Sequence, residues 1–242
     1  MKTGKVTTGK VRMTWFGHSA FHLQAPGGKS VLIDPWLDNP AAPRGTKETI
    51  SANVILITHG HSDHFGNAIQ IAQRTNAQVI SIYEISQYLH TQGIDTAQGM
   101  NKGGTVEIYD LKVTMVDARH SSGLDAGGAI VSGGEPAGYV IEFGNGYTVY
   151  HAGDTSVFGD MKIIADLYRP SLVILPIGGL FTMGPREAAY ACKLLKPKRI
   201  VGMHYGTFPA LSGTPSALKS CLPTAMKKNV VEMVPGQAVS FG

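Results

Sequence analysis

Three histidines and one aspartate fall within six residues of this chain, in the run Thr58-His59-Gly60-His61-Ser62-Asp63-His64. Imidazole nitrogen and carboxylate oxygen are donors suited to a borderline divalent ion such as zinc, manganese or iron(II). No thiol stands nearby, which argues against a structural zinc site of the cysteine type. His59 and His61 are two residues apart, so in an extended segment they share a face. Asp63 and His64 come where the chain must already turn, and they can point toward a neighbouring second ion. A polar loop that merely happens to be rich in histidine is the competing reading. It leaves four potential ligands behind one buried strand without a reason.

The elements that must hold these side chains read outward from the run. Residues 53–57, Asn-Val-Ile-Leu-Ile, are apolar and rich in β-branched types, the pattern of a buried strand. The donors therefore sit on the loop leaving its C-terminal end, where a rigid element can fix short side chains around one point. The run resembles the ligand motif of the metallo-β-lactamase superfamily, and the further ligands that this resemblance implies appear in order: His120 in Asp117-Ala-Arg-His-Ser-Ser122, Asp154 in Tyr150-His-Ala-Gly-Asp-Thr155, and His204 in Gly202-Met-His-Tyr205. Each comes after an apolar run that reads as a strand, at residues 113–116, 147–150 and 199–201.

The His-x-His-x-Asp-His pattern, with His120, Asp154 and His204 following in order, resembles the metallo-β-lactamase superfamily over nearly the whole chain. The resemblance implies an α/β fold, the four-layer αββα sandwich, as one domain over residues 1–242. Interleaved strands and helices permit that fold without requiring it. It further implies that His59, His61 and His120 hold one ion, that Asp63, His64 and His204 hold a second, and that Asp154 bridges them. Two divalent ions about 3.5–4 Å apart can share a water and bring its pKa to about 7, giving a hydroxide that attacks a carbonyl or phosphoryl centre. Zinc is the expected metal, and manganese or iron is compatible with the same donors.

Asp63, His18 and Asp34 are the candidate catalytic residues. In the resembled family an acid at the place of Asp34 braces the metal loop by hydrogen bonds, as partners of ligands commonly do; an exposed turn residue is the plainer reading. His18 lies in a Gly17-His18-Ser19 turn. With Ile33-Asp34-Pro35-Trp36 it looks like a branch of small bacterial metal-dependent hydrolases similar to L-ascorbate-6-phosphate lactonase, in which the turn lies near the pocket. A structural turn histidine is the alternative. His151 and His90 fall outside the ligand pattern, and no serine or cysteine stands out as a nucleophile.

Departures from other branches narrow the expectation. β-Lactamases with a cysteine ligand carry it where Asp154 stands. Long nuclease relatives need an inserted domain for which 242 residues leave no room, and no exosite arm of the transfer-RNA processing kind is evident. The expected function is hydrolysis of an ester-type bond in a small anionic substrate, the lactone of a phosphorylated sugar being favoured. A phosphodiesterase or nuclease, or an iron redox or sensor protein on the same scaffold, remains the alternative.

Composition agrees with a sheet-rich globular chain: 43% hydrophobic residues, 30 glycines and 13 prolines. A formal charge of +4 fits an anionic substrate without establishing one. No Lys/Arg cluster of nucleic-acid type stands out; Lys196-Pro-Lys-Arg199 reads as a solvated helix end. Nucleic acid is thus a disfavoured partner, a membrane is not expected, and a homo-oligomer stays open. Two cysteines, and a polar basic start without an apolar segment, point to the cytoplasm. Further strands are expected at 11–15, 20–24, 30–33, 78–82, 105–108, 139–143, 172–175, 230–235 and 238–241. Helices are expected at 65–74, 84–91, 161–168, 185–195 and 216–226, the last with a break near its end at Pro223. Residues 99–104 read as a turn. The Gly- and Ser-rich stretch 121–138 reads as a mobile lid that covers substrate beside His120, with a long hairpin connection as the plainer reading. The glycines in residues 176–183 suit a pocket wall.

Overall fold

The computed structural model describes residues 8–242. Residues 1–7, which hold most of the polar N-terminal stretch, lie outside the described residues. Strands β1 (Val11–Trp15), β2 (Phe21–Gln24) and β3 (Ser30–Ile33) open the chain, followed by a short α1 (Thr46–Thr49) and β4 (Val54–Leu56). Then come α2 (Ser62–Phe65), α3 (Ala68–Thr75), β5 (Gln78–Ile82), α4 (Tyr83–Thr91), β6 (Ala97–Met100), β7 (Thr105–Ile108) and β8 (Leu111–Asp117). A small hairpin, β9 (Gly123–Asp125) and β10 (Ile130–Ser132), precedes β11 (Ala137–Phe143), β12 (Thr148–His151), α5 (Met161–Tyr168) and β13 (Leu172–Pro176). The chain closes with α6 (Pro185–Leu195), β14 (Arg199–Met203), α7 (Pro215–Cys221), α8 (Thr224–Lys227) and β15 (Ala238–Phe241).

Among the described residues these strands form a seven-stranded sheet, ordered β15-β1-β2-β3-β4-β5-β6, and a six-stranded sheet, ordered β14-β13-β12-β11-β8-β7. The two sheets share one core. Along β13, Leu172 and Ile174 join the cluster that also holds Ile33, Leu56 and Ile80 of the first sheet. Val173 and Leu175, one residue out of phase, pack with Ile164 of α5, Ala188 of α6 and Leu218 of α7. This period-two split is why β13 is buried on both faces and reads as one unbroken apolar run. On the other side Ile71 of α3 and Ile85 and Leu89 of α4 cover the first sheet. The result is the expected αββα layering. Tyr139 of β11 stitches the layers: its buried hydroxyl donates to the Ile57 carbonyl at 2.9 Å, across to the first sheet.

Strand direction collects the site. In the first sheet β1 is antiparallel to β2, and β2 to β3, while β3 and β4 are parallel, so β1, β3 and β4 all end at one edge. In the second sheet β8 and β12 are both antiparallel to β11, and β12, β13 and β14 are parallel, so these four also end together. His18, Asp34, the 58–64 loop, His120, Asp154 and His204 each follow one of these ends.

Several elements differ from expectation for physical reasons. The helix expected over 65–74 is two: Gly66, at φ 40°, breaks it, and the Asn67 N–H donates to the Pro35 carbonyl instead. The helix expected over 216–226 does break at Pro223, as that residue implied, and leaves α7 and α8 on either side. Residues 97–100 extend the first sheet as an edge strand, which takes in the first two residues of the turn expected over 99–104. No strand forms over 230–235; Val230 makes a single bridge to Ile200, and the chain then turns so that the Gly236 N–H reaches the Trp15 carbonyl at 2.8 Å. The 121–138 stretch carries the β9–β10 hairpin, as its plainer reading had it. No helix among the described residues is long and apolar enough to cross a membrane.

Candidate metal centre

The convergence at this edge brings together all of the histidines and aspartates singled out in the sequence. Three overlapping groups have donor atoms within 4.8 Å of one another: His59, His61 and His120; His59, His64 and Asp154; and His18, Asp63, His64 and His204. Asp154 sits at the junction. Its Oδ2 lies 2.9 Å from His204 Nε2, 3.2 Å from His64 Nε2 and 3.6 Å from His120 Nε2. His64 Nε2 makes no hydrogen bond despite that proximity, and Asp154 Oδ1 and His204 Nδ1 are likewise buried without a partner. Buried polar atoms left this way cost free energy unless something binds them.

The hydrogen bonds behind these groups fix their tautomers. Asp34 is fully buried. Its Oδ1 accepts the Thr58 N–H at 2.8 Å; its Oδ2 accepts the Thr58 hydroxyl at 2.7 Å and His64 Nδ1–H at 2.7 Å. Because the Thr58 proton goes to a carboxylate, the Thr58 oxygen can only accept from His59 Nδ1, 3.0 Å away. His59 thus carries its proton on Nδ1 and turns a bare Nε2 lone pair to the centre, and His64, its Nδ1–H held by Asp34, has Nε2 left to face the centre. His59 Nε2 is 3.0 Å from His61 Nδ1, close to the spacing of about 3.3 Å for two nitrogens that share one tetrahedral zinc. Lone pairs that converge at ligand spacing, beside buried unbonded oxygen and nitrogen, fit a divalent cation.

His18 is fully buried at the same place. Its Nε2 lies 3.0 Å from Asp63 Oδ2, and its Nδ1 lies 2.6 Å from the Thr207 hydroxyl. Its ring stands 4.0 Å from that of His204 and meets Trp36 and Phe208 edge-on. The His204 N–H donates to the His18 carbonyl at 3.0 Å, which joins the two sheets at the rim. Asp34, His18 and His204 all adopt left-handed backbone, with φ of 46°, 51° and 58°. Such strain in non-glycine residues is often held at functional sites.

Electrostatics follow from burial and from the two carboxylates. Burial lowers the pKa of His59, His61 and His120, and takes His18 to about 4, against the pull of Asp63. His64 goes the other way: burial lowers it, but the Asp154 and Asp34 carboxylates together raise it well above the ordinary value. Burial favours the neutral form of Asp154, yet His64 and His204 hold it well below the usual carboxylate range.

The two glycines that matter here permit close approach. A Cβ on Gly60, between His59 and His61, would lie 2.8 Å from Leu124 and 2.9 Å from the Gly123 carbonyl. The β9–β10 hairpin is therefore seated on the metal loop, and Ser122 Oγ adds to this by accepting the Gly60 N–H at 3.1 Å. A Cβ on Gly178 would collide with the His204 carbonyl, so the loop after β13 backs His204 directly. Sequence reasoning named neither Thr207 nor the bracing role of Thr58. Thr58 adjoins the histidine run and offered a signal. Thr207 is 189 residues from its partner and offered none. His151 is buried outside these groups: its Nδ1 accepts the Gly153 N–H at 3.2 Å, so Nε2 donates to the Ser19 carbonyl at 3.3 Å. His90 is exposed on α4.

A two-sheet sandwich clad in helices, with a histidine–aspartate cluster at one sheet edge, defines the metallo-β-lactamase fold. The family model described as a beta-lactamase superfamily domain matches residues 29–205. Within that superfamily the chain belongs to the UPF0173 metal-dependent hydrolase family. A member from Koribacter versatilis is 48% identical over 231 residues, covering 95% of this chain and 98% of the relative. One from Methanosarcina barkeri is 46% identical over 232 residues, covering 96% and 99%. The solved structure of Igni18, a metallo hydrolase from the archaeon Ignicoccus hospitalis, matches with a TM-score of 0.87 at 37% identity. That match covers 97% of this chain and 99% of that one.

Proposed function

We propose that this metal-dependent hydrolase works with two divalent ions and cleaves an ester-type bond in a small anionic substrate, with the lactone of a phosphorylated sugar as the substrate to test first. The observation that carries the reading is Asp154 Oδ2, one carboxylate oxygen within 3.6 Å of Nε2 atoms from His64, His120 and His204. A single acid reachable from both histidine groups is what a bridging ligand requires. His59, His61 and His120 would hold one ion; Asp63, His64 and His204 would hold the other; zinc suits the donors, and manganese or iron is compatible. Divalent ions bound there supply Lewis acidity that brings a water's pKa to about 7 and polarises a substrate oxygen.

The chain's own residues do the rest. Asp34 holds His64 and, through Thr58, His59 in the tautomer that presents Nε2. His18 is shut off from solvent, so it acts as a positioning residue: pinned by Thr207, it orients the Asp63 carboxylate. A cleft of about 500 Å³ beside His120, walled by Lys102, Asp117, Arg119, Glu135 and Pro136, suits a small substrate. Lys102 is already paired with Asp117 at 2.6 Å and Glu135 at 2.9 Å. Arg119 Nε likewise lies 3.7 Å from Asp117 Oδ2, so anionic recognition rests on the metal centre more than on the cations of the cleft. Exposed Leu180 and Phe181, on the loop after β13, and Phe208 offer apolar surface on loops at the same edge.

The test is turnover by one metal-loaded preparation on a phosphorylated sugar lactone and an activated phosphodiester, run beside Asp154→Ala. Efficient lactone opening, weak phosphodiester cleavage and near-complete loss in Asp154→Ala are expected. The reverse preference would make the protein a phosphodiesterase. Full activity in Asp154→Ala would refute the two-ion reading.

A further inference from the structure

The charge of this protein is not where its metal centre is. β13 and β14 are parallel, and the residues just before them, Ser171 and Lys198, lie at the sheet edge away from the metal ligands. There a cavity of about 680 Å³ opens between one face of α5 and the C-terminal end of α6, over buried Pro170 and Leu195. Five cations line it, Lys162, Arg169, Lys193, Lys196 and Lys198, against one carboxylate, Asp166. Five less one is +4, the formal charge of the entire chain, so the rest of the protein is balanced. Among the described residues none of the five forms an ion pair, whereas Lys47, Lys102, Lys112 and Lys219 each do.

Helix dipoles explain part of this. Arg169 caps α5, and Lys193 and Lys196 end α6, where cations are favoured. They do not explain Lys162, in the first turn of α5 where a cation is disfavoured, or Lys198, which lies past the helix. Like charges gathered around a concavity repel one another unless an anion joins them, and they raise the local concentration of anions. The floor is apolar, formed by Ala165, Pro170, Leu194 and Leu195. The volume falls in the range of about 300–1,000 Å³ typical of small-molecule sites. The five residues of β13 separate it from the metal centre, a strand length of about 16 Å.

We propose that this cavity is a second ligand site, for a phosphorylated small molecule with at least two negative charges and a flat ring, as a nucleoside diphosphate has. The cations take the phosphates and the apolar floor takes the face of the ring. The site is separate from the metal centre, and its occupant does not touch the reacting groups.

The experiment titrates the metal-loaded full chain with ADP by calorimetry at low salt, in wild type, Lys196→Glu/Lys198→Glu and Asp154→Asn. Saturable binding by wild type is expected. The double charge reversal should weaken it at least tenfold while metal content and thermal unfolding stay unchanged, since both lysines are exposed. Asp154→Asn should bind ADP as wild type does. No binding by wild type at millimolar ADP would overturn the proposal. So would binding that survives the charge reversal but is lost in Asp154→Asn, which would put the nucleotide at the metal centre. A short single-stranded oligonucleotide that outcompetes ADP and is weakened by the same reversal would instead make the patch a nucleic-acid surface.

Discussion

Asp34→Asn isolates the hydrogen bonds that orient the metal loop. Asparagine tolerates the left-handed backbone that Asp34 adopts at φ 46°, so the substitution changes chemistry and leaves the backbone in place. Three donors aim at Asp34: the Thr58 N–H, the Thr58 hydroxyl and His64 Nδ1–H, at 2.7–2.8 Å. An amide offers one oxygen and one NH2 in place of two oxygens. Whichever way it turns, at least one buried donor faces another donor, at a cost of about 1–3 kcal/mol. The escape is for His64 to move its proton to Nε2, which removes the lone pair facing Asp154. Loss of such an orienting partner typically weakens metal affinity about 10–100-fold, or about 1.4–2.8 kcal/mol. The assay is competition for zinc against a chromogenic chelator, with circular dichroism to confirm the fold. Affinity within twofold of wild type would refute the claim that Asp34 sets the His64 tautomer.

Thr207→Val should slow turnover by releasing His18 from its 2.6 Å contact, with Thr207→Ser restoring it; steady-state kinetics on the true substrate check this, and unchanged kinetics in both Thr207→Val and His18→Ala would reduce His18 to a structural turn residue. Gly178→Ala should displace His204 and lower the metal content measured by atomic emission, because no Cβ fits against the His204 carbonyl. In the metal-free protein the raised His64 pKa is a stabilising linkage present below the unfolded value of about 6.5 and lost as pH rises through the folded one; chemical denaturation across that window should show stability falling with pH, and more shallowly in Asp34→Asn. Burial pushes the Cys192 thiol to about 12 while Cys221 is exposed, so a thiol reagent at pH 8 should label one cysteine in the folded protein and two in denaturant.

The donors that meet at the candidate centre were all legible in the sequence. The 58–64 run announces itself by composition behind one apolar strand, a local property that survives without a fold; His120, Asp154, His204 and Asp34 stood out through the order of the motif that the chain resembles. Turn chemistry was less legible. Gly66 cuts a helix that apolar periodicity alone carried through, whereas Pro223 announced its own break. The glycines of 121–138 allowed either a mobile lid or a hairpin; the hairpin is seated because Leu124 fills the space that Gly60 leaves open.

Only the tertiary structure decided how the ligands relate. That Asp154 is reached by histidines from three loops, that Thr207 holds His18, and that the cations of α5 and α6 line one cavity are all contacts between residues far apart in the chain. Side-chain type and spacing along a strand state what chemistry is available. Distances across sheets depend on the direction in which each strand ends, and that is settled by pairing and packing between sheets. In this protein β1, β3, β4, β8, β12 and β14 all end at one edge, and a scattered set of histidines and aspartates becomes a single centre because they do.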